Sequence, residues 1–272
     1  MADNRAIGVF DSGLGGLTVV KELQKVLPNE DIIYFGDTGR VPYGTRSRDT
    51  IRRYALEDEK FLVDRNVKLI IAACGTVSSV AADVANNLPV PFFEVVSHSS
   101  YAAAKSTKNK IVGVIGTSAT VNSEKHKEYI KKISDKIEVV SNACSLFVPL
   151  VEEGWFDEND SVVLETAQRY LEPIKRANAD TLILGCTHYP VLEKAISKVL
   201  GEKVKLINSG TATALAVKDY LEKNDLFNDS KALGDNKFYV SDKPNSFCRI
   251  ASILLGEKID DRKVEQVDLS SI

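Results

Sequence analysis

The sequence predicts an α/β protein built from two similar, pseudo-symmetric units with mainly parallel sheets. The site is expected in the cleft between the units. Three observations predict this. Short apolar runs alternate with amphipathic stretches in β-α-β-α order, the pattern of a parallel sheet covered by helices. The alternation restarts midway: Ile7-Gly8-Val9 and Val112-Gly113-Val114 are offset by 105 residues. Cys74 and Cys186 are offset by 112, and each follows an apolar run (LIIAAC, LILGC) and precedes a helical stretch.

The elements follow in order. Residues 6–10 read as a strand running into the turn Asp11-Ser12-Gly13-Leu14-Gly15-Gly16, with a helix over 17–26. A strand over 31–35 leads to a punctuated turn at 38–44, which holds Gly39, Pro42 and Gly44. A charged helix over 50–66 carries Ile51, Tyr54, Ala55, Phe61 and Leu62 on its apolar side. The strand over 67–73 ends at Cys74, and a helix covers 77–88. In the second unit, strands are expected at 110–115, 137–140 and 179–184, with helices at 123–134, 160–178 and 190–200. Pro190 falls in the first turn of its helix, where a missing N–H costs little. A strand at 203–207, a helix at 211–222, a strand at 237–240 and a run at 247–255 complete the chain. The last third has no comparable start and is expected to pack on the first unit. The units are then 1–96 plus 208–272, and 97–207.

The chain has 272 residues and buries enough surface to need no disulfide or metal staple. With 35 Lys and Arg against 38 Asp and Glu, the net charge is −3, which argues against direct nucleic-acid binding. No apolar stretch approaches the ~18 residues of a membrane span, and MADNRAIGVFDSG lacks a signal peptide's apolar core, so a cytoplasmic protein is expected. Four cysteines and three histidines make neither CxxC nor HxxxH, so no metal site is read. Cys144 and Cys248 read as small buried hydrophobes.

Ligands of open α/β sheets bind beyond the carboxyl ends of the strands. Four strand ends carry small polar or reactive residues: Asp11-Ser12, Cys74-Gly75-Thr76, Gly116-Thr117 and Cys186-Thr187-His188. A dinucleotide fingerprint fails because Thr18 stands at the third glycine position. No GxxxxGKS phosphate loop exists, and Phe10 removes a GxSxG elbow. Asp11 also fits a turn or helix cap, and His188 a buried structural histidine. Two opposed thiols suit removal of a proton from one face of a carbon and its return to the other. A thiol near its ordinary pKa of ~8.5 can be tuned to either role.

The motifs GVFDSGLGGLTVV at 8–20, FGDTGRVPYG at 35–44, AACGT at 72–76, VIGTSAT at 114–120, LVEEG at 150–154 and LGCTHYP at 184–190 carry a family resemblance. With FYVSDKPNSFCRIASILLG at 238–256, they span nearly the whole chain. The sequence resembles glutamate racemases of the cofactor-independent aspartate/glutamate racemase superfamily. The resemblance implies interconversion of L- and D-glutamate without a cofactor, supplying D-glutamate for peptidoglycan, in a homodimer. It implies that Cys74 takes the α-proton of D-glutamate and Cys186 that of L-glutamate. Asp11 would act beside the first thiol, His188 and Glu152 beside the second. Ser12, Tyr43, Gly44, Gly75, Thr76, Thr117, Thr120, Thr187 and His188, with Asp11, match substrate-binding positions. Aspartate or another acidic amino acid is the alternative substrate, and gyrase inhibition, known among such proteins, the alternative role. One departure stands out: Gly75 replaces the family's asparagine. A lost bond to a charged group costs on the order of 1.5–3 kcal/mol, so weaker substrate binding is the expectation. FEVVSH at 93–98 departs as well.

Overall fold

The structure is a computed structural model and describes residues 2–243, 247–259 and 263–269. The first unit begins with β1 (Ile7–Asp11), α1 (Leu17–Val26), β2 (Ile32–Gly36), α2 (Arg48–Val63) and β3 (Leu69–Ala72). It continues through α3 (Gly75–Val80) and β4 (Phe92–Glu94), and the chain then enters α4 (Val95–Ser106), which packs on α6, β7 and β8 of the second unit. Then come β5 (Ile111–Gly116), α5 (Ser118–Asn122), α6 (Lys125–Ile133), β6 (Glu138–Ala143), α7 (Phe147–Glu153), α8 (Ser161–Arg176), β7 (Thr181–Leu184), α9 (Glu193–Leu200) and β8 (Lys205–Asn208). The chain closes with α10 (Ser209–Asn224), β9 (Asn236–Val240), α11 (Phe247–Leu255) and β10 (Val264–Gln266).

All pairings are parallel. One sheet has the order β10-β9-β2-β1-β3-β4 and the other β6-β5-β7-β8. The order β2-β1-β3-β4 thus repeats as β6-β5-β7-β8, so the restart seen in the sequence is a repeat of topology. Strands buried on both faces need apolar residues throughout, which is why β1, β3 and β7 read IGVFD, LIIA and TLIL. β9 and β10 extend the first sheet beyond β2.

Several expectations are corrected. The helix over 77–88 is two pieces, α3 and a 3₁₀ turn at Ala82–Asn87. The helix over 123–134 begins at Lys125, after the separate α5. The helix over 190–200 opens with a 3₁₀ turn at Tyr189–Leu192. β4, α4, α5 and α7 were not expected at all. Residues 92–96 (FFEVV) look like one strand, but the chain turns at Glu94. The Glu94 carboxylate accepts from the Val96 and Ser97 N–H groups and caps α4. α7 is short and contains Pro149, which hides its period; Gly154, left-handed at φ 86°, ends it. Residues 244–246, in the quoted C-terminal motif, lie outside the described residues.

Candidate active site

The carboxyl ends of β1 and β3 in one sheet, and of β5 and β7 in the other, converge on one cavity of about 590 Å³. Its wall holds Asp11, Ser12, Cys74 and Thr76 from the first sheet's strand ends. Thr117, Cys186, Thr187 and His188 come from the second sheet's. Tyr43 and Gly44, in the 3₁₀ turn Tyr43–Thr45, and Glu152 on α7 also line it, with Thr38, Thr45, Ser118 and Ser145. A larger open groove of about 1330 Å³ beside α1 and α9 contains no cysteine and no histidine.

The two thiols have different surroundings. Cys74 precedes α3, and its Sγ–H donates to Ser12 Oγ at 3.4 Å. Burial pushes the Cys74 thiol up to about 12, and the Asp11 carboxylate adds to the shift. Burial raises Asp11 too, against the pull of His188 and of the Gly16, Gly13 and Ser12 N–H groups. Asp11 Oδ2 accepts from Gly13 N–H at 3.0 Å, while the buried Oδ1 has no hydrogen-bond partner. Asp11 is therefore a turn ligand, and Gly16 before α1 has no side-chain cap. On the opposite wall, His188 Nε2 is 3.2 Å from Glu152 Oε1. That is an ion-pair distance without hydrogen-bond alignment, since Nε2 makes no hydrogen bond. Burial alone would lower the His188 pKa, but Cys186 and Glu152 overcome it and raise it to about 10.

The wall includes every expected site residue but one. Thr120 is 1% exposed and stands behind Thr117, with its Oγ1 3.0 Å from Thr117 Oγ1. It is a support for the wall, because α5 turns it inward. Thr117 in turn reaches Thr76 Oγ1 at 3.2 Å, a hydroxyl contact between the two sheets' strand ends. Gly75 also differs from expectation. A Cβ there would sit 2.4 Å from the Gly185 carbonyl oxygen, so the space of a side chain is filled by the facing turn's backbone. Cys144 is buried as expected, whereas Cys248 is only half-buried.

The profile of the Asp/Glu/Hydantoin racemase family matches residues 7–217. The chain belongs to this family. It is 46% identical to a glutamate racemase of Geobacter metallireducens over 98% of each chain. Its fold superimposes on a glutamate racemase from Francisella tularensis in complex with D-glutamate, with a TM-score of 0.91 and 42% identity. That match covers 99% of this chain and 100% of the other. A glutamate racemase from Thermus thermophilus in complex with beta-chloro-D-alanine matches at TM-score 0.88 and 43% identity, over the whole of both chains.

In this family member the sequence reading missed Val148 and Pro149 of α7, and Ile250 of α11, which form the apolar side of the cavity. Nothing local marks them, since their role follows from where two helices dock.

The His188 environment yields a pH prediction. Its folded pKa lies above the ordinary 6.5, so its contribution to stability is full below about 6.5 and fades as pH rises through about 10. His188→Gln therefore flattens the fall in Tm between pH 6.5 and 9, a window below the Cys74 titration. Thermal melts compare the two proteins, and parallel curves would refute the assignment.

Proposed function

We propose that the protein interconverts L- and D-glutamate by moving one proton through two thiols. The observation that carries this reading is Cys74 and Cys186 at corresponding strand ends on one cavity wall. In one direction the Cys186 sulfur, as thiolate, takes the α-proton of L-glutamate. The electron pair left on Cα delocalises into the α-carboxylate, and the Cys74 S–H delivers its proton to the opposite face. One S–H bond forms and one breaks, so each turnover leaves the thiols set for the reverse direction. The asymmetry of the site fits this start: His188 is cationic beside Cys186, whereas burial and Asp11 hold Cys74 as thiol.

The wall contains no Lys or Arg among the described residues. Backbone N–H groups, the cationic His188 and hydroxyls such as those of Ser12, Thr76, Thr117 and Thr187 are therefore among the donors offered to the substrate carboxylates. Charge developing on the α-carboxylate is stabilised by donors already in place. Asp11 and Glu152 are the anions available to the α-ammonium. No cofactor is assigned a part. The units are 1–96 plus 208–272, and 97–207, with the substrate between them. Supply of D-glutamate for peptidoglycan, in the cytoplasm, is the role that fits this reaction.

Incubation with L-glutamate in deuterium oxide tests the reading: D-glutamate carrying deuterium at Cα is the expected product. Folded protein giving neither D-product nor α-exchange would overturn it, and an aspartate arm reports the substrate.

A further inference from the structure

Behind the cavity, three carboxylates surround one guanidinium. Asp37 and Asp58 are fully buried, and Glu57 lies at the cluster's edge. Arg40 pairs with Asp37 and Glu57, and its Nη2 donates to Asp58 Oδ1 at 3.1 Å. The Tyr43 hydroxyl lies between the two buried acids. It is within hydrogen-bond reach of Asp37 Oδ2 and 2.9 Å from Asp58 Oδ2. A phenol has a single proton and can fully donate to only one of them. Asp37 Oδ2 already accepts from Arg40 Nε, and Asp37 Oδ1 accepts from the Ser241 hydroxyl at 2.7 Å. Asp37 is thus the acceptor-only partner. The remaining contact is satisfied when Asp58 Oδ2 carries a proton and donates it to the Tyr43 oxygen.

We propose that Asp58 is a protonated positioning residue, whose O–H to Tyr43 locks the 38–45 segment onto the substrate cavity. Thr38, Val41, Pro42, Tyr43, Gly44 and Thr45 of this segment line that cavity, whereas Asp58 on α2 does not. The segment has a second anchor, because Gly39 N–H donates to Ser241 Oγ at 2.8 Å, just beyond β9. Arg40 also lies over the Tyr54 ring at 4.0 Å, and the Tyr43 and Tyr54 rings are 5.2 Å apart. The ionisable groups facing Asp58 are Asp37, Arg40, Tyr43 and Glu57, with Tyr34 also within electrostatic reach. Burial first, then Asp37, holds Asp58 far above the usual carboxylate range.

The inference rests on the racemase reading only for its kinetic test. Asparagine reproduces a protonated Asp58: its amide N–H donates to Tyr43 and its oxygen accepts from Arg40. Asp58→Asn is expected to keep the KM for glutamate within about two-fold, while Asp58→Ala raises it about ten-fold with little change in kcat. Without substrate, amide hydrogen exchange over 38–45 should rise in Asp58→Ala and stay at the wild-type level in Asp58→Asn. The carboxyl carbon of Asp58 in ¹³C-labelled wild-type protein should show the protonated chemical shift at pH 7. An ionised Asp58, Asn behaving like Ala, or unchanged exchange in Asp58→Ala would each overturn the proposal. The carboxyl measurement needs no variant to fold. If wild-type protein racemises nothing, the functional reading fails, while the carboxyl and exchange results still decide the clamp.

Discussion

Cys74→Ala and Cys186→Ala each abolish racemisation, with turnover falling by roughly 10²–10⁴-fold or more. The expectation comes from the geometry of inversion. A proton must leave one face of Cα and arrive at the other, and the proposed mechanism assigns one thiol to each face. Among the described residues on the wall, the other ionisable groups are Asp11, Tyr43, Glu152 and His188. Asp11 holds the Gly13 N–H and, with Glu152, is offered to the α-ammonium, Tyr43 is held between two buried acids, and His188 is paired with Glu152. None is free to replace a sulfur. The surviving thiol can still exchange the α-proton on its own face, so exchange without inversion is the signature of each variant. Circular dichroism establishes folding, and chiral analysis with mass spectrometry reads the two outcomes. Turnover within ten-fold of wild type in either variant would refute the two-thiol assignment.

Gly75→Ala is the second large effect. The new Cβ would stand 2.4 Å from the Gly185 carbonyl oxygen, far inside van der Waals contact. That carbonyl cannot easily yield. Gly185 N–H donates to Ile115 O at 2.7 Å, continuing the β5–β7 ladder, and the next residue is Cys186. Relief must come from moving the two strand-end turns apart, and these turns carry the two thiols. Overpacking of this kind costs about 1–3 kcal/mol. A displacement near 1 Å at reacting groups can cost about 10²-fold in rate. Urea unfolding and the racemisation assay measure the two effects, and an unchanged kcat/KM would show that the close approach is not needed. Asparagine meets the same carbonyl, so Gly75→Asn should not restore a missing contact here.

Glycine at 75 shows how far the sequence could be read. The motif exposed a missing side chain and suggested a lost hydrogen bond. The structure shows a backbone from the other sheet in that place, a contact across 110 positions that no local pattern encodes. The thiols were legible for the opposite reason. An apolar run, a cysteine and a helix start are local, and the carboxyl-end rule then places the cysteine at the ligand. Glu152 was legible only through family resemblance, since α7 is short and carries Pro149 in its first turn. Thr120 is expected on the wall only through family resemblance, but the turn of α5 puts it behind Thr117.

Apart from β4, α4, α5 and α7, the sequence by itself determined the alternation of the main strands and helices, the duplication and the two reactive strand ends. These depend on residue period, on buried strands being apolar, and on turn chemistry within a few residues. Only the tertiary structure decided how close the two turns stand, which hydroxyls join across them, and which acid shares a proton with Tyr43. Those properties depend on desolvation and distance between segments remote in the chain. Asp58, in a helix whose sequence shows only that it is charged, is buried beside Asp37 and Tyr43 and becomes part of what shapes the site.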